Sequence, residues 1–238
     1  MPLFIIACLV SFLPFILIYL WLKKRAKDNK TYCKICDKAF ISGLLSVLPI
    51  LLLSMVSNIL LNLTGIRKTN PLLYQGLYTF IVLAFAEELV KFLCFKKILK
   101  KNEYAYSWLD MVALMTIVGS GFGLIESVTY AIGASIPVVL VRGICAPHVG
   151  YGFIVGYFYG KGLKNRNSGT KMLGFILAWL IHGLYDFSLS SEFIALNDNL
   201  IAVALVLAVF DIVLVIMLIR FVRKAGKNEK YMVPLGGI

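Results

Sequence analysis

The sequence predicts an all-α, polytopic membrane helix bundle with about seven transmembrane helices. Three observations predict it. Hydrophobic residues fill 60% of the 238 positions, where a soluble domain has about 45–50%, and the mean hydropathy is +0.87. The apolar residues lie in runs that reach the roughly 20 residues a helix needs to cross a bilayer. The basic residues gather between alternate runs, the mark of cytoplasmic loops in membrane proteins.

The runs fall at about 2–22, 39–63, 72–95, 107–131, 134–160, 171–190 and 199–220. The first lacks a basic region before it and a small-residue cleavage site after it, so it reads as an uncleaved anchor and not a signal peptide. The longest polar stretch follows, a basic cytoplasmic loop at 23–38. It is too short to build a core, so residues 1–238 read as a single membrane domain. That loop carries Lys23, Lys24, Arg25, Lys27, Lys30, Lys34 and Lys38. The third run is followed by Lys96, Lys97, Lys100 and Lys101, the fifth by Lys161, Lys164, Arg166 and Lys171, and the seventh by Arg220, Arg223, Lys224, Lys227 and Lys230. The opposite side has only Arg67 and Lys68. This asymmetry predicts an outside N-terminus and a cytoplasmic C-terminus. It also accounts for the net charge of +12 through contact with membrane lipid, with no nucleic acid as partner.

Cys33-x-x-Cys36 has the spacing of metal ligands, but no second pair stands nearby to complete four. The two read as free thiols in the loop. Gly119, Gly121 and Gly123 in the fourth run, and Gly152, Gly156 and Gly160 in the fifth, form small-residue ridges along which helices approach closely.

Ionisable groups inside the apolar runs carry the chemistry. A carboxylate near the bilayer centre costs about 2.5–3.5 kcal/mol on insertion scales, and Glu87 and Glu88 stand side by side in the third run. Lys91 lies within a helical turn of both. Neighbours on a helix point about 100° apart, so one glutamate is expected to serve as base while the other holds Lys91. Glu126 follows Phe122 by one turn. His148 follows Pro147, whose ring kinks a helix and can open room for water. His182 and Asp186 are four apart on one face, so Asp186 can fix the tautomer of His182. Arg142 is expected to snorkel at the outer end of its run, and Asp110 and Asp211 lie nearer run ends and are assigned no role. Counting along the runs puts Glu87 towards the cytoplasmic side and Glu126 towards the outer side. Two histidines and up to three glutamates suit a zinc hydrolase. They equally suit a metal-free mechanism in which a glutamate activates water and the histidines stabilise an oxyanion. His-Glu-x-x-His and Gly-x-Ser-x-Gly are both absent from the chain.

Glu87-Glu88-x-x-Lys91, Phe122-x-x-x-Glu126, His148 and His182-x-x-x-Asp186 resemble, in order and spacing, the motifs of the PrsW intramembrane proteases. These are relatives of the CAAX-processing and bacteriocin-immunity proteases. Those relatives usually read Glu-Glu-x-x-x-Arg and Phe-x-x-x-His, so Lys91 and Glu126 favour the PrsW branch. The resemblance covers the third to sixth runs, about 72–190. It implies a bacterial cell-membrane endopeptidase that makes the site-1 cut in a single-span, membrane-anchored anti-sigma factor, starting sigma-factor release in a stress response. Its catalytic set here is Glu87, Glu88, Lys91, Glu126, His148, His182 and Asp186. The cofactor is unknown, with zinc the candidate. A transporter or ion-coupled carrier buries the same residue types, and a non-catalytic immunity or scaffold member would keep the fold. Point variants scored for cleavage against solute flux separate these readings.

Overall fold

Each apolar run folds as helix, and polar caps set where several of the helices begin. The computed structural model describes residues 2–100, 104–133, 135–225 and 233–234. Lys101, Lys227 and Lys230, counted above with the basic loops, lie outside the described residues.

Helix α1 is Pro2–Arg25. Helix α2, Lys30–Leu45, starts where the Asn29 side chain accepts from the Tyr32 amide, one of the donors a helix N-terminus leaves unpaired. Helix α3, Val47–Leu63, continues from it through Ser46, which keeps a right-handed helical backbone. The segment 23–38, expected as a loop, is therefore mostly helix. A rod from Lys30 to Leu63 has 34 residues, about 50 Å, against roughly 30 Å of hydrocarbon, so it has length for both a basic extension and a span. Cys33 and Cys36 sit on this rod as free thiols, and Cys36 is buried.

A short helix α4, Ile66–Thr69, leads to α5, Pro71–Leu77, whose N-cap Asn70 accepts from the Leu73 amide. The chain then widens into a π-helical stretch, Tyr78–Ala84, and returns to α-geometry in α6, Phe85–Lys100. Helix α7 is Trp108–Gly133. At its start Ser107 and Asp110 cap each other: the Asp110 amide donates to Ser107 Oγ at 3.1 Å, and the Ser107 amide donates to Asp110 Oδ2 at 2.8 Å. That reciprocal cap is the role the sequence did not assign to Asp110.

The fifth run divides in two. Helix α8, Ile136–Cys145, ends at Ala146, whose φ of 43° is left-handed, and α9, Pro147–Lys164, begins with its proline in the first turn. Proline is tolerated at that position because its missing N–H is an orphan there anyway, so the expected kink becomes a full break. Helix α10 is Ser168–Ser188, capped by Asn167, and a one-turn helix α11, Ser191–Ile194, precedes α12, Ile201–Ala225.

By length and composition, five helices among the described residues suffice to cross a membrane: Ile5–Arg25, Lys30–Leu63, Trp108–Ile132, Ile136–Lys164 and Ile201–Ala225. The rods Pro71–Lys100 and Ser168–Ser188 are helical but are not among these five, short of the expected seven. The first is interrupted by its π-helical stretch and carries Glu87, Glu88 and Lys91; the second carries His182 and Asp186.

Helix α9 is the centre of the bundle, packed along α7 and α10. Contact with α7 is backbone to backbone. A Cβ at Gly119 would collide with the His148 carbonyl oxygen, and one at Gly152 would lie 2.8 Å from the Met115 carbonyl oxygen, so only glycine permits this spacing. Helices α3 and α12 stand at the outside with aliphatic side chains exposed, Leu52 at 63% and Val206 at 68% among them.

Candidate active site

Five helices converge on one buried cluster of charge. The π-helical stretch lies directly before the Glu87–Glu88 turn, and α10 is pinned to it. Trp179 Nε1 donates to the Phe80 carbonyl at 2.6 Å, and the Trp179 ring meets Phe85 edge-on at 5.2 Å. Gly183 lies so close to the Phe80 ring that a Cβ there would strike it. These contacts set His182, one residue before Gly183, against the two glutamates. Extra-wide helical turns of this kind are frequent at functional sites.

Lys91 Nζ donates to Glu88 Oε1 at 2.6 Å, lies 3.0 Å from His148 Nδ1, and stands 4.5 Å over the Phe122 ring. The Phe122 ring is also edge-on to His148 at 4.7 Å. His182 Nδ1 is 3.0 Å from Glu88 Oε1, and its Nε2 is 3.2 Å from Asp186 Oδ2 and 3.7 Å from Glu87 Oε2. Both glutamates therefore reach one imidazole. The expectation that their directions would separate them fails because His182 presents one ring nitrogen to each. Glu88 is the residue that holds Lys91, and Glu87 has no ion pair with Lys91.

On the other side His148 Nε2 is 2.5 Å from Glu126 Oε2. The His148 ring thus spans from Lys91 to Glu126 and bridges the depth offset that span counting gave between Glu87 and Glu126. Arg142 closes the arrangement, with Nη2 at 2.8 Å from Glu126 Oε1 and Nη1 at 3.6 Å from Asp186 Oδ1. Its guanidinium lies 3.9 Å over the Tyr130 ring. Arg142 does not snorkel: it is buried at 6% exposure, because the break at Ala146 lets α8 end inside the bundle. The result is two histidine–carboxylate pairs, His148–Glu126 and His182–Asp186, tied together by one arginine. All seven residues expected from the sequence are in this cluster, and Arg142 is an eighth. Its signal was an arginine within an apolar run four positions before Ala146-Pro147.

Two further buried groups border the site. The Tyr151 ring stacks on His182 at 5.0 Å. Asp211, the eleventh residue of α12, is buried beside the Tyr151 hydroxyl, and neither it nor Tyr151 makes a well-aligned hydrogen bond. It lies within the helix and not near a span end as the sequence suggested.

The cluster fits a divalent metal ion. Glu87, His148 and His182 each offer a ligand atom, all three within 4.8 Å of one another and all buried. Glu87 Oε2, Glu88 Oε2 and His182 Nε2 have no hydrogen-bond partner. Unsatisfied buried polar atoms are costly, and a cation would use them. The charges agree. Four carboxylates, Glu87, Glu88, Glu126 and Asp186, face two permanent cations, Lys91 and Arg142. The deficit equals one divalent ion or two protonated imidazoles. His148 Nδ1 is shared with Lys91, so its use as a ligand requires the ammonium to move towards Glu88.

A buried acid–base cluster with metal-ligand character, enclosed by helices apolar enough to cross a membrane, defines a membrane-embedded enzyme. Comparison with known proteins gives the family: the PrsW family intramembrane metalloproteases match residues 34–218, and the chain belongs to that family. It is a multi-pass bacterial membrane protein and an intramembrane protease by descent. Protease PrsW of Oceanobacillus iheyensis is 26% identical over 197 residues, 80% of this chain and 83% of that protein. Protease PrsW of Clostridioides difficile is 28% identical over 200 residues, 78% of this chain and 79% of that protein. Protease PrsW of Shouchella clausii is 28% identical over 159 residues, 65% and 69% of the two chains. No solved structure matches the chain.

Proposed function

We propose that this protease cleaves a single-span membrane protein, an anti-sigma factor, making the first cut towards release of its sigma factor. The substrate follows from the motif resemblance of Glu87-Glu88-x-x-Lys91 through His182-x-x-x-Asp186. The observation that carries the hydrolytic reading is the meeting of two adjacent glutamates, each with an Oε2 free of hydrogen bonds, with two buried histidines that each have a further carboxylate beside them.

In this reading Glu87, His148 and His182 would hold the ion, zinc suits the donor set, and a bound ion would supply the Lewis acidity that polarises a scissile carbonyl. Glu88 is the general base. Lys91 and His182 fix its Oε1, leaving Oε2 to take a proton from the attacking water as the water oxygen bonds to the carbonyl carbon. Glu88 then gives that proton to the amide nitrogen as the C–N bond breaks. Lys91 keeps Glu88 oriented, Glu126 orients His148 through Nε2, Glu88 orients His182 through Nδ1 while Asp186 yields His182 Nε2 to the ion, and Arg142 holds Glu126 and Asp186 in register. Seven helical rods cross the membrane, with the N-terminus outside and the basic side in the cytoplasm. A single cysteine near Asn197 is then labelled from outside, and one near Lys164 only after permeation.

The test uses the full-length protein in lipid with an anti-sigma-factor reporter, measuring cleavage and bound metal together. Glu88→Gln should lose cleavage and keep the metal, whereas Glu87→Gln should lose both. Cleavage at the wild-type rate in both variants overturns glutamate-based hydrolysis, and chelator-insensitive cleavage overturns the metal.

A further inference from the structure

Away from the charged cluster, two adjoining cavities run along one edge of α6. The larger, about 530 Å³, lies between α6 and the α2–α3 junction and is lined by Lys38, Ile41, Leu45, Pro49 and Lys97, among others. The second, about 360 Å³, is lined by Leu93, Lys96, Lys97 and Lys100. Lys97 belongs to both, so they form one groove with two chemistries. Lys97 and Lys100 occupy the last turn of α6, and Lys38 stands one turn before Ile41 on α2. Ile41, Leu45 and Leu93 are about half exposed, so the apolar wall faces outwards, where acyl chains pack against a membrane protein. Among the described residues, no lining side chain is acidic, and none of the four lysines is in an ion pair.

We propose that this groove binds an anionic phospholipid, its phosphate among Lys38, Lys97 and Lys100 and an acyl chain along Ile41, Leu45 and Pro49. Basic pockets between membrane helices attract anionic headgroups. Basic residues are common at membrane ends, but here they surround a cavity with an aliphatic wall, and a phospholipid is the occupant that uses both parts. The groove also lies behind the site. Cys94, on its lining, packs against the cluster of Ile50, Val90 and Phe122, and Phe122 is the ring under Lys91. Cys94 follows Lys91 by one turn of α6, so the bound lipid lies one turn along the helix from the charged residues. The inference depends on neither the substrate nor the membrane orientation proposed above.

Native mass spectrometry of the full-length protein, released from nanodiscs containing phosphatidylglycerol and phosphatidylethanolamine, tests it. The wild type should retain phosphatidylglycerol preferentially. Each lysine replaced in Lys38→Gln/Lys97→Gln should lower that retention by about fivefold. Arg223→Gln/Lys224→Gln, with the same charge change at the end of α12, should leave it within about twofold. Ser42→Phe fills the cavity with every lysine intact and should also lose the lipid. Should the double lysine variant fold poorly, Lys97→Gln alone serves, with about a fivefold loss. Equal losses in the two double variants mean general attraction to the membrane and overturn a site. So do unchanged retention in Ser42→Phe and displacement of the lipid by inorganic phosphate. If Lys38→Gln/Lys97→Gln keeps the lipid but slows cleavage of a single-span reporter, the groove seats substrate and the lipid proposal is wrong.

Discussion

The fifth and last apolar runs are both long enough to cross a membrane, yet they do opposite jobs. In an 18-residue stretch of Ile136–Lys164 78% of the residues are buried, against 28% in one of Ile201–Ala225, although the second is the more apolar. In a soluble protein the more hydrophobic helix would be the core. Here lipid is as apolar as leucine, so hydrophobicity marks the outer surface. The centre is built from glycines, which admit close packing, and from charges that find partners. Asp211 is the exception on α12, a buried carboxylate beside Tyr151.

The largest break in this comparison should come at the charged centre. Glu88→Gln keeps shape and removes the proton acceptor, so cleavage by purified protein should fall by about 10²–10⁴-fold. Val206→Ala on the exposed face of α12 should cleave at the wild-type rate. Arg142→Met comes next. It leaves Glu126 and Asp186 with only their histidine partners, and removing one member of a buried ion pair costs about 3–5 kcal/mol, which should appear as a lower thermal midpoint in detergent. Adding Glu126→Gln to it should cost less than the sum of the two single losses, since coupled partners are non-additive. Simple additivity would show that the Arg142–Glu126 pair does not act as a unit.

Gly152→Ala sharpens the packing half. The added methyl meets the α7 backbone near Met115 and Thr116, and overpacking of this kind costs about 1–3 kcal/mol. The smallest effect is expected outside. Leu205→Ala and Val206→Ala should change stability by no more than about 0.5 kcal/mol, measured by unfolding in the same detergent. A loss at Val206 as large as that at Gly152 would mean that α12 packs against protein and not lipid.

Much of the centre was legible in the chain because charge in an apolar run is expensive and so informative. Glu87, Glu88, Lys91, Glu126, His148, His182 and Asp186 all stood out for that reason, and the structure gathers them. Arg142 was misread because span counting assumes an unbroken rod. The left-handed backbone at Ala146 ends α8 early and turns an apparent rim position inwards. The charges of α10 diluted its apolar run and the π-helical stretch cut the rod before α6 short, which is why five helices and not seven pass as spans. Asp110 was invisible as a cap because the counted run opened at Ser107 itself and so marked no helix start between the two residues. Asp211 was passed over because a single acid in an otherwise aliphatic run had no second residue in the sequence to suggest a partner.

The Arg142 clamp has a consequence for the life of the protein before it is finished. Glu126 and Arg142 leave the ribosome well before His182 and Asp186, with Glu87, Glu88 and Lys91 already made. Until α10 docks, His182 is missing from the glutamate pair and Arg142 has only one of its two carboxylates. On the proposed mechanism a partly synthesised chain is therefore a protease without a centre, and the last site-bearing helix to arrive is the one that completes it.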